Sequence, residues 1–144
     1  MNMKQLVLAL TLALAAPTVF SAEAATPLTT ITKSVENESL VADSFGKTLY
    51  VFDPDQGSNS SVCVGDCAEV WPPYIVTAAE AKDLVTPLAV IQRANKKLQL
   101  TYEGRPVYTY ILDRTAGQDL GEGIGGVWHY IELEEEVRTA SPVK

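Results

Sequence analysis

The residues of this 144-residue chain that could carry chemistry are few and separable. Cys63 and Cys67 stand four apart, close enough for a disulfide if the intervening residues make a helical turn. The same pair could serve thiol redox chemistry, but Asp66 and Glu69 flank it, and carboxylates raise a thiol pKa rather than lower it. A second set, Asp53, Asp55, Asp113 and Asp119, with Glu122 as a further candidate, offers hard oxygen ligands for a divalent cation. The run Asp53 to Ser61 looks like a calcium loop, yet Ser58 and Val64 occupy the positions where an EF-hand needs Gly and a bidentate Glu. His129 is the sole histidine and both methionines lie near the N-terminus, so soft and imidazole ligands are scarce. No serine sits in a G-x-S-x-G elbow, and no carboxylate pair stands out as an acid and base. Gly121 to Gly126 satisfies G-x-G-x-x-G, but a polar loop precedes it and a Trp-bearing strand follows, which is the wrong context for a dinucleotide. No catalytic residue and no cofactor is assigned.

What must position these groups is a phrase written twice. Gly46-Lys47-Thr48-Leu49-Tyr50-Val51-Phe52-Asp53-Pro54-Asp55 and Gly104-Arg105-Pro106-Val107-Tyr108-Thr109-Tyr110-Ile111-Leu112-Asp113 share Gly-x-x-aliphatic-Tyr-x-aromatic-x-x-Asp. Each leads into a polar or Gly-rich loop and then a Trp, Trp71 or Trp128. Such a repeat means two similar structural units. Tyr50, Phe52, Tyr108 and Tyr110, at period two, read as cross-strand packing, with an aromatic ligand cradle as the sharper alternative. Asp55 and Asp113 stand just past strand ends, where a carboxylate accepts backbone N–H bonds and closes the turn. A ligand site shared between them is the other reading.

The elements follow from pattern. Leu40–Asp43, a turn at 44–47 and Leu49–Phe52 read as a hairpin, with both faces of the second arm apolar and the strand therefore central. Thr77-Ala78-Ala79-Glu80 is a capping box that opens a short helix to about Leu84. Leu88–Gln92, Leu98–Tyr102 and Val107–Leu112 form a meander, and Val127–Leu133 is the last strand, with Val127, His129 and Ile131 on one side. The expected fold is mainly β: a small antiparallel domain over 39–133, built from units at about 39–73 and 92–133, with one or two short helices.

The first 24 residues read as a cleaved signal peptide: Lys4, an apolar run from Leu6 to Ala16 shorter than the ~20 residues of a membrane span, and Ala22-Glu23-Ala24 as the cleavage site. Cleavage after Ser21 is the second choice. Residues 25–38 are a Thr-rich lead-in with room for a strand at its end, and 134–144 an acidic tail. No later segment is apolar enough to span a membrane. The formal net charge of -7 disfavours nucleic acid and anionic lipid as partners.

The two motif copies resemble those of the bacterial secreted repeat proteins, predicted lipoproteins with a Yx(FWY)xxD motif. Cys63 through Pro73, Leu98 through Pro106 and Gly121 through Trp128 are similar to the family's further segments. The resemblance spans about Leu40 to Leu133. It implies an exported domain with a duplicated β unit, and no established activity or catalytic residues. Many members look like lipoproteins; this chain lacks the lipid-attachment cysteine, so tethering is not carried over. The expectation is therefore an exported, periplasmic or secreted, non-enzymatic domain that binds a small ligand or an envelope protein. The alternatives are a divalent-cation binder and a thiol-redox protein.

Overall fold

The phrase written twice folds twice, and each copy is completed by the other. A computed structural model describes residues 28–32 and 39–133. Strand β2 (Ser39–Asp43) turns back through residues 44–47 into β3 (Tyr50–Phe52). Asp43 holds that turn, its Oδ1 accepting the N–H groups of Phe45 and Lys47, both at 2.9 Å. In the second copy β6 (Leu98–Tyr102) and β7 (Arg105–Tyr108) meet across Glu103-Gly104. Both turn residues have positive φ, 50° and 76°, the geometry that matches a tight hairpin to strand twist.

Neither hairpin is zipped along its length. The first pairs at Ala42 with Thr48, the second at Thr101 with Pro106 and Tyr102 with Arg105. Beyond those pairs the arms fork, and a strand from the other unit fills each fork. In the first, Val41 N–H donates to Ile131 O, Ile131 N–H to Leu49 O and Leu133 N–H to Ser39 O, each at 2.9 Å. In the second, Tyr74 N–H donates to Val107 O and Leu100 N–H to Tyr74 O, both at 2.9 Å. Strand β4 (Ile75–Val76) continues that pairing along β6. The two hairpins join where β3 pairs antiparallel with β7, Tyr50 opposite Tyr108. Pairing of equivalent residues sets a pseudo-twofold axis between them.

The remaining strands respect the same symmetry. Strand β1 (Leu28–Thr32) pairs with all of β2, and β5 (Leu88–Gln92) with all of β6. β1 falls within the segment expected as a lead-in. Strand β8 (Trp128–Tyr130) runs beside β3, giving the order β4-β6-β7-β3-β8 with β5 on β6. The antiparallel, mainly β class expected from sequence is the one observed.

Strand alternation separates two cores. Leu49 and Val51 point into an aliphatic cluster with Val41, Val76, Leu100, Val107 and Ile131. Tyr50 and Phe52 point the other way, into an aromatic cluster with Trp71, Tyr108, Tyr110, Trp128 and Cys63. β3 is central and apolar on both faces, as its sequence requires.

Three elements are shorter than their patterns suggest. The capping box forms, with Thr77 N–H on Glu80 Oε2 at 2.6 Å and Glu80 N–H on Thr77 Oγ1 at 3.2 Å. Yet only a 3₁₀ turn follows, Glu80–Lys82, because so short a segment does not recover the cost of helix nucleation. β7 stops at Tyr108 rather than Leu112, since Thr109 N–H goes to Pro72 O and Ile111 N–H to Val70 O. β8 covers only Trp128–Tyr130. Val127 ends the 3₁₀ turn Ile124–Gly126 and packs on the aromatic cluster, so it does not share a side with Ile131. The expected signal segment and acidic tail lie outside the described residues. Among the described residues no helix is long and apolar enough to cross a membrane.

Leu100 is fully buried in the aliphatic cluster whereas Phe45 is 88% exposed. Leu100→Ala should cost about 2–5 kcal/mol in urea denaturation, and Phe45→Ala within about 0.5 kcal/mol. Equal effects would place the core elsewhere.

Candidate functional site

The repeated aspartates are where a shared site would have to be. After β3 the chain makes a 3₁₀ turn at Asp53–Asp55 that carries Asp55 inward, fully buried. Its Oδ1 accepts the N–H of Val62 at 2.7 Å, closing the loop that follows. Asp113 does the same, its Oδ1 accepting the N–H of Leu120 at 3.0 Å. Each clamp spans seven residues. The turn-closing role expected of these carboxylates is thus their geometry, and each has a second bond besides. Tyr108 donates its hydroxyl to Asp55 Oδ2 at 2.5 Å, and Tyr50 donates to Asp113 Oδ2 at 2.6 Å. The tyrosine of each unit is therefore held by the aspartate of the other.

The phenols are themselves further bonded. Gly121 N–H donates to Tyr50 Oη at 3.3 Å, and Ser61 Oγ lies 2.6 Å from Tyr108 Oη. Burial, then the bond to a carboxylate, pushes both phenols well above the ordinary tyrosine range. Burial also raises Asp113, against the opposing bond from Tyr50.

Between the two pairs runs a stack of rings. Trp71 and Trp128 lie face to face, centroids 3.8 Å apart and planes at 2°. Tyr110 stacks outside Trp71 at 4.4 Å and Phe52 outside Trp128 at 4.2 Å. Tyr50 meets Trp71 edge-on at 5.4 Å, and Tyr108 meets Trp128 edge-on at 5.1 Å. The rings are packed against one another and form no open cradle.

Cys63 and Cys67 are bonded, their Cα atoms 5.3 Å apart, with Cys67 in helix α1 (Asp66–Val70). Cys63 is buried in the aromatic cluster, so the bridge pins the loop that Asp55 clamps. The acidic candidates for a metal are dispersed. Asp55 and Asp113 are engaged as described, Asp53 pairs with Arg105 at 2.9 Å, and Glu122 reaches His129. Asp119 raises the Asp113 pKa by its charge without joining it in a ligand set. Among the described residues no three His, Cys, Asp or Glu side chains are placed to hold a metal ion.

Where the two units differ, their surfaces diverge. Position three after the tyrosine is Asp53 in one copy and Ile111 in the other. The residue after the tryptophan is Pro72 in one and His129 in the other. Near Asp53 the differences make a charged cluster: His129 Nε2 is 3.3 Å from Asp53 and Nδ1 3.1 Å from Glu122, whose other oxygen accepts Tyr130 N–H at 2.7 Å. The bond from Glu122 raises the His129 pKa above its ordinary value. Arg105, His129, Tyr102, Tyr130, Glu103 and Glu132 rim a cavity of about 180 Å³. In the other unit exposed Ile111 stands at the place equivalent to Asp53, with exposed Leu112 after it; Val70 and Leu120, also exposed, correspond to Val127 and to the exposed Val62. Ile111 N–H donates to Val70 O, and Leu120 N–H donates to the carboxylate of Asp113, next in the chain to Leu112.

Two features were not read from the sequence. One is the exchange of Tyr and Asp between units, whose only signal was the identical Tyr-to-Asp spacing in both copies. The other is Arg93, which binds Ser61 Oγ at 2.8 Å, Gln99 Oε1 at 2.7 Å and Cys63 O at 3.0 Å. It borders a cavity of about 290 Å³ with Ser60, Val64 and Asn95. Neither cavity is lined by Asp55 or Asp113.

Two outcomes follow from this geometry. Tyr50 and Tyr108 hold their protons more tightly folded than unfolded, so their contribution is complete below about pH 10 and is lost as pH rises beyond it. In an ultraviolet titration of the six tyrosines, two should ionise only as circular dichroism reports unfolding, and Tyr74, pushed up to about 12 by burial, should lag the rest. Reversible ionisation of all six near pH 10 in folded protein would contradict the buried phenol bonds. Separately, a Cβ on Gly121 would sit 2.7 Å from the Trp71 ring and 2.9 Å from the Tyr50 ring. Gly121→Ala should therefore cost about 1–3 kcal/mol by overpacking, read as a lowered denaturant midpoint.

Comparison with protein-family models matches residues 32–74 and 89–132 to a family described as a secreted repeat of unknown function. Searches of curated proteins and of solved structures find no match. Each matched span contains one Tyr-x-aromatic-x-x-Asp phrase and the tryptophan that follows it. With both copies matched over more than half its length, this chain belongs to that family of secreted repeat proteins.

Proposed function

We propose that this chain is an exported, non-enzymatic interaction domain that docks a protein partner of the cell envelope through Val70, Ile111, Leu112 and Leu120. The observation that carries this reading is the break in symmetry. The groups common to both units, Tyr50, Tyr108, Asp55 and Asp113, are spent on one another inside the fold. What is left to meet a partner is the surface where the units differ. One copy has Ile111 and Leu112 where the other has Asp53 and Pro54, so an exposed apolar pair, with exposed Val70 bonded to Ile111 and exposed Leu120 clamped by Asp113, stands where the counterpart carries a charge. Clustered exposed aliphatics of this kind mark contact surfaces. The dispersed carboxylates and the bridged cysteines give the cation-binding and thiol-redox readings less support.

Placement of a photo-crosslinking amino acid tests this in cells that export the protein. Probes at Leu112 and Leu120 should give the same discrete adduct, and a probe at exposed Glu103 should give none. Leu112→Lys with Leu120→Lys should remove the adduct while leaving the melting temperature unchanged, since both side chains are exposed. Adducts from all three probe positions alike, or from none, would reject the patch as a docking surface.

A further inference from the structure

The aromatic cluster holds more than packing requires. Four rings, Tyr110, Trp71, Trp128 and Phe52, form one continuous stack with centroid spacings of 4.4, 3.8 and 4.2 Å. Indoles at such spacing overlap well enough to share or pass an electron vacancy. Trp71 and Trp128 are each nearly buried, at 4% and 5% exposure, so water is kept from the rings. Each indole also touches the edge of one phenol, Tyr50 or Tyr108. Each of those phenols is hydrogen-bonded to a buried carboxylate, Asp113 or Asp55. A phenol gives up an electron readily only if its proton has somewhere to go, and here a base is already in contact. The arrangement occurs twice, once beside each indole of the pair.

We propose that this stack and its two carboxylate-bonded phenols form a relay for one-electron oxidation, serving as a sink for oxidants of the peroxide-derived radical class. The oxidant removes one electron from the Trp71–Trp128 pair and leaves an indole radical cation. Tyr50 returns an electron to the indole while its phenolic proton crosses to Asp113 Oδ2. The phenol O–H bond breaks and a carboxyl O–H bond forms. The products are a neutral phenoxyl radical, a neutral carboxyl group and a restored indole, with charge unchanged overall. Tyr108 and Asp55 perform the same step from Trp128. The proton remains within the hydrogen bond, so one electron from an external donor of the thiolate or enediol class, which is oxidised to its own radical, reduces the phenoxyl, returns the proton to the phenol oxygen and resets the pair.

The test uses the whole protein and a photogenerated ruthenium(III) polypyridyl as the one-electron oxidant. Flash oxidation should give a phenoxyl radical, identified by electron paramagnetic resonance, and its formation should slow in D₂O. Tyr50→Phe and Tyr108→Phe should each lower the phenoxyl yield. The double variant should show a longer-lived tryptophanyl radical in its place. Tyr110→Phe keeps the stack intact and removes a hydroxyl that makes no carboxylate bond among the described residues, so it should leave the yield unchanged. If the double variant does not fold, as judged by near-ultraviolet circular dichroism, the single variants and the isotope effect decide. An unchanged phenoxyl yield in both Tyr50→Phe and Tyr108→Phe, or a yield that falls with Tyr110→Phe instead, would overturn the relay and leave the cluster as packing alone.

Discussion

Everything in this fold is arranged around two buried carboxylates that neither unit can satisfy alone. Asp55 is fully buried and Asp113 nearly so. Each finds one backbone donor in its own loop and one hydroxyl donor across the pseudo-twofold axis. A carboxylate out of water and short of donors costs several kcal/mol, so the two halves are bound to each other by need and not merely by apolar contact. The fork-filling strands express the same dependence in the backbone. Val41 and Leu49 would carry open ladder positions without Ile131, and Leu100 and Val107 would do so without Tyr74. The gain is specificity more than net stability, since a satisfied buried polar network is costly to bury and costly to break.

Much of this was legible in the residues, and the illegible part has a physical reason. Strand alternation showed that Tyr50 and Phe52 lie opposite Leu49 and Val51, because period two is a local property of the chain. The capping box at Thr77 was likewise local, though the pattern says where a helix can start, not whether enough apolar contact exists to extend it. The Asp clamps were readable because they reach only a few residues ahead. The exchange between units was not, since a bond from Tyr50 to Asp113 spans 63 residues. Sequence spacing alone favours the nearer partner, and Asp55 stands only five residues from Tyr50. The same limit hid the forks: Val127–Leu133 reads as one strand, with nothing local to show that from Trp128 onward it pairs with the other unit's hairpin.

Duplication also explains how the surface could diverge without loss of the core. A residue bonded across the axis is constrained twice, by its own loop and by its counterpart. A residue facing outward is constrained by neither. Arg105 holds Asp53, and beside them His129 bridges toward Glu122, in a partly exposed cluster whose pairs contribute little to stability. The other unit carries Ile111 at the place of Asp53, so the same fold presents a charged surface at one end and an apolar side chain at the other.

The loops themselves carry the clearest sign of this freedom. After the N–H clamped by Asp55 comes Cys63, which is bridged to Cys67 and followed by a helical turn. After the N–H clamped by Asp113 comes Gly121, which lies so close under Trp71 and Tyr50 that a side chain has no room. One loop is pinned by a covalent bond and the other by an absence of bulk, yet both deliver a tryptophan to the same face-to-face pair. Because each aspartate fixes only a single N–H in its loop, the rest of the loop need only return the tryptophan to the axis. Any route that does so keeps the fold, and the residues along that route are the ones free to acquire a partner.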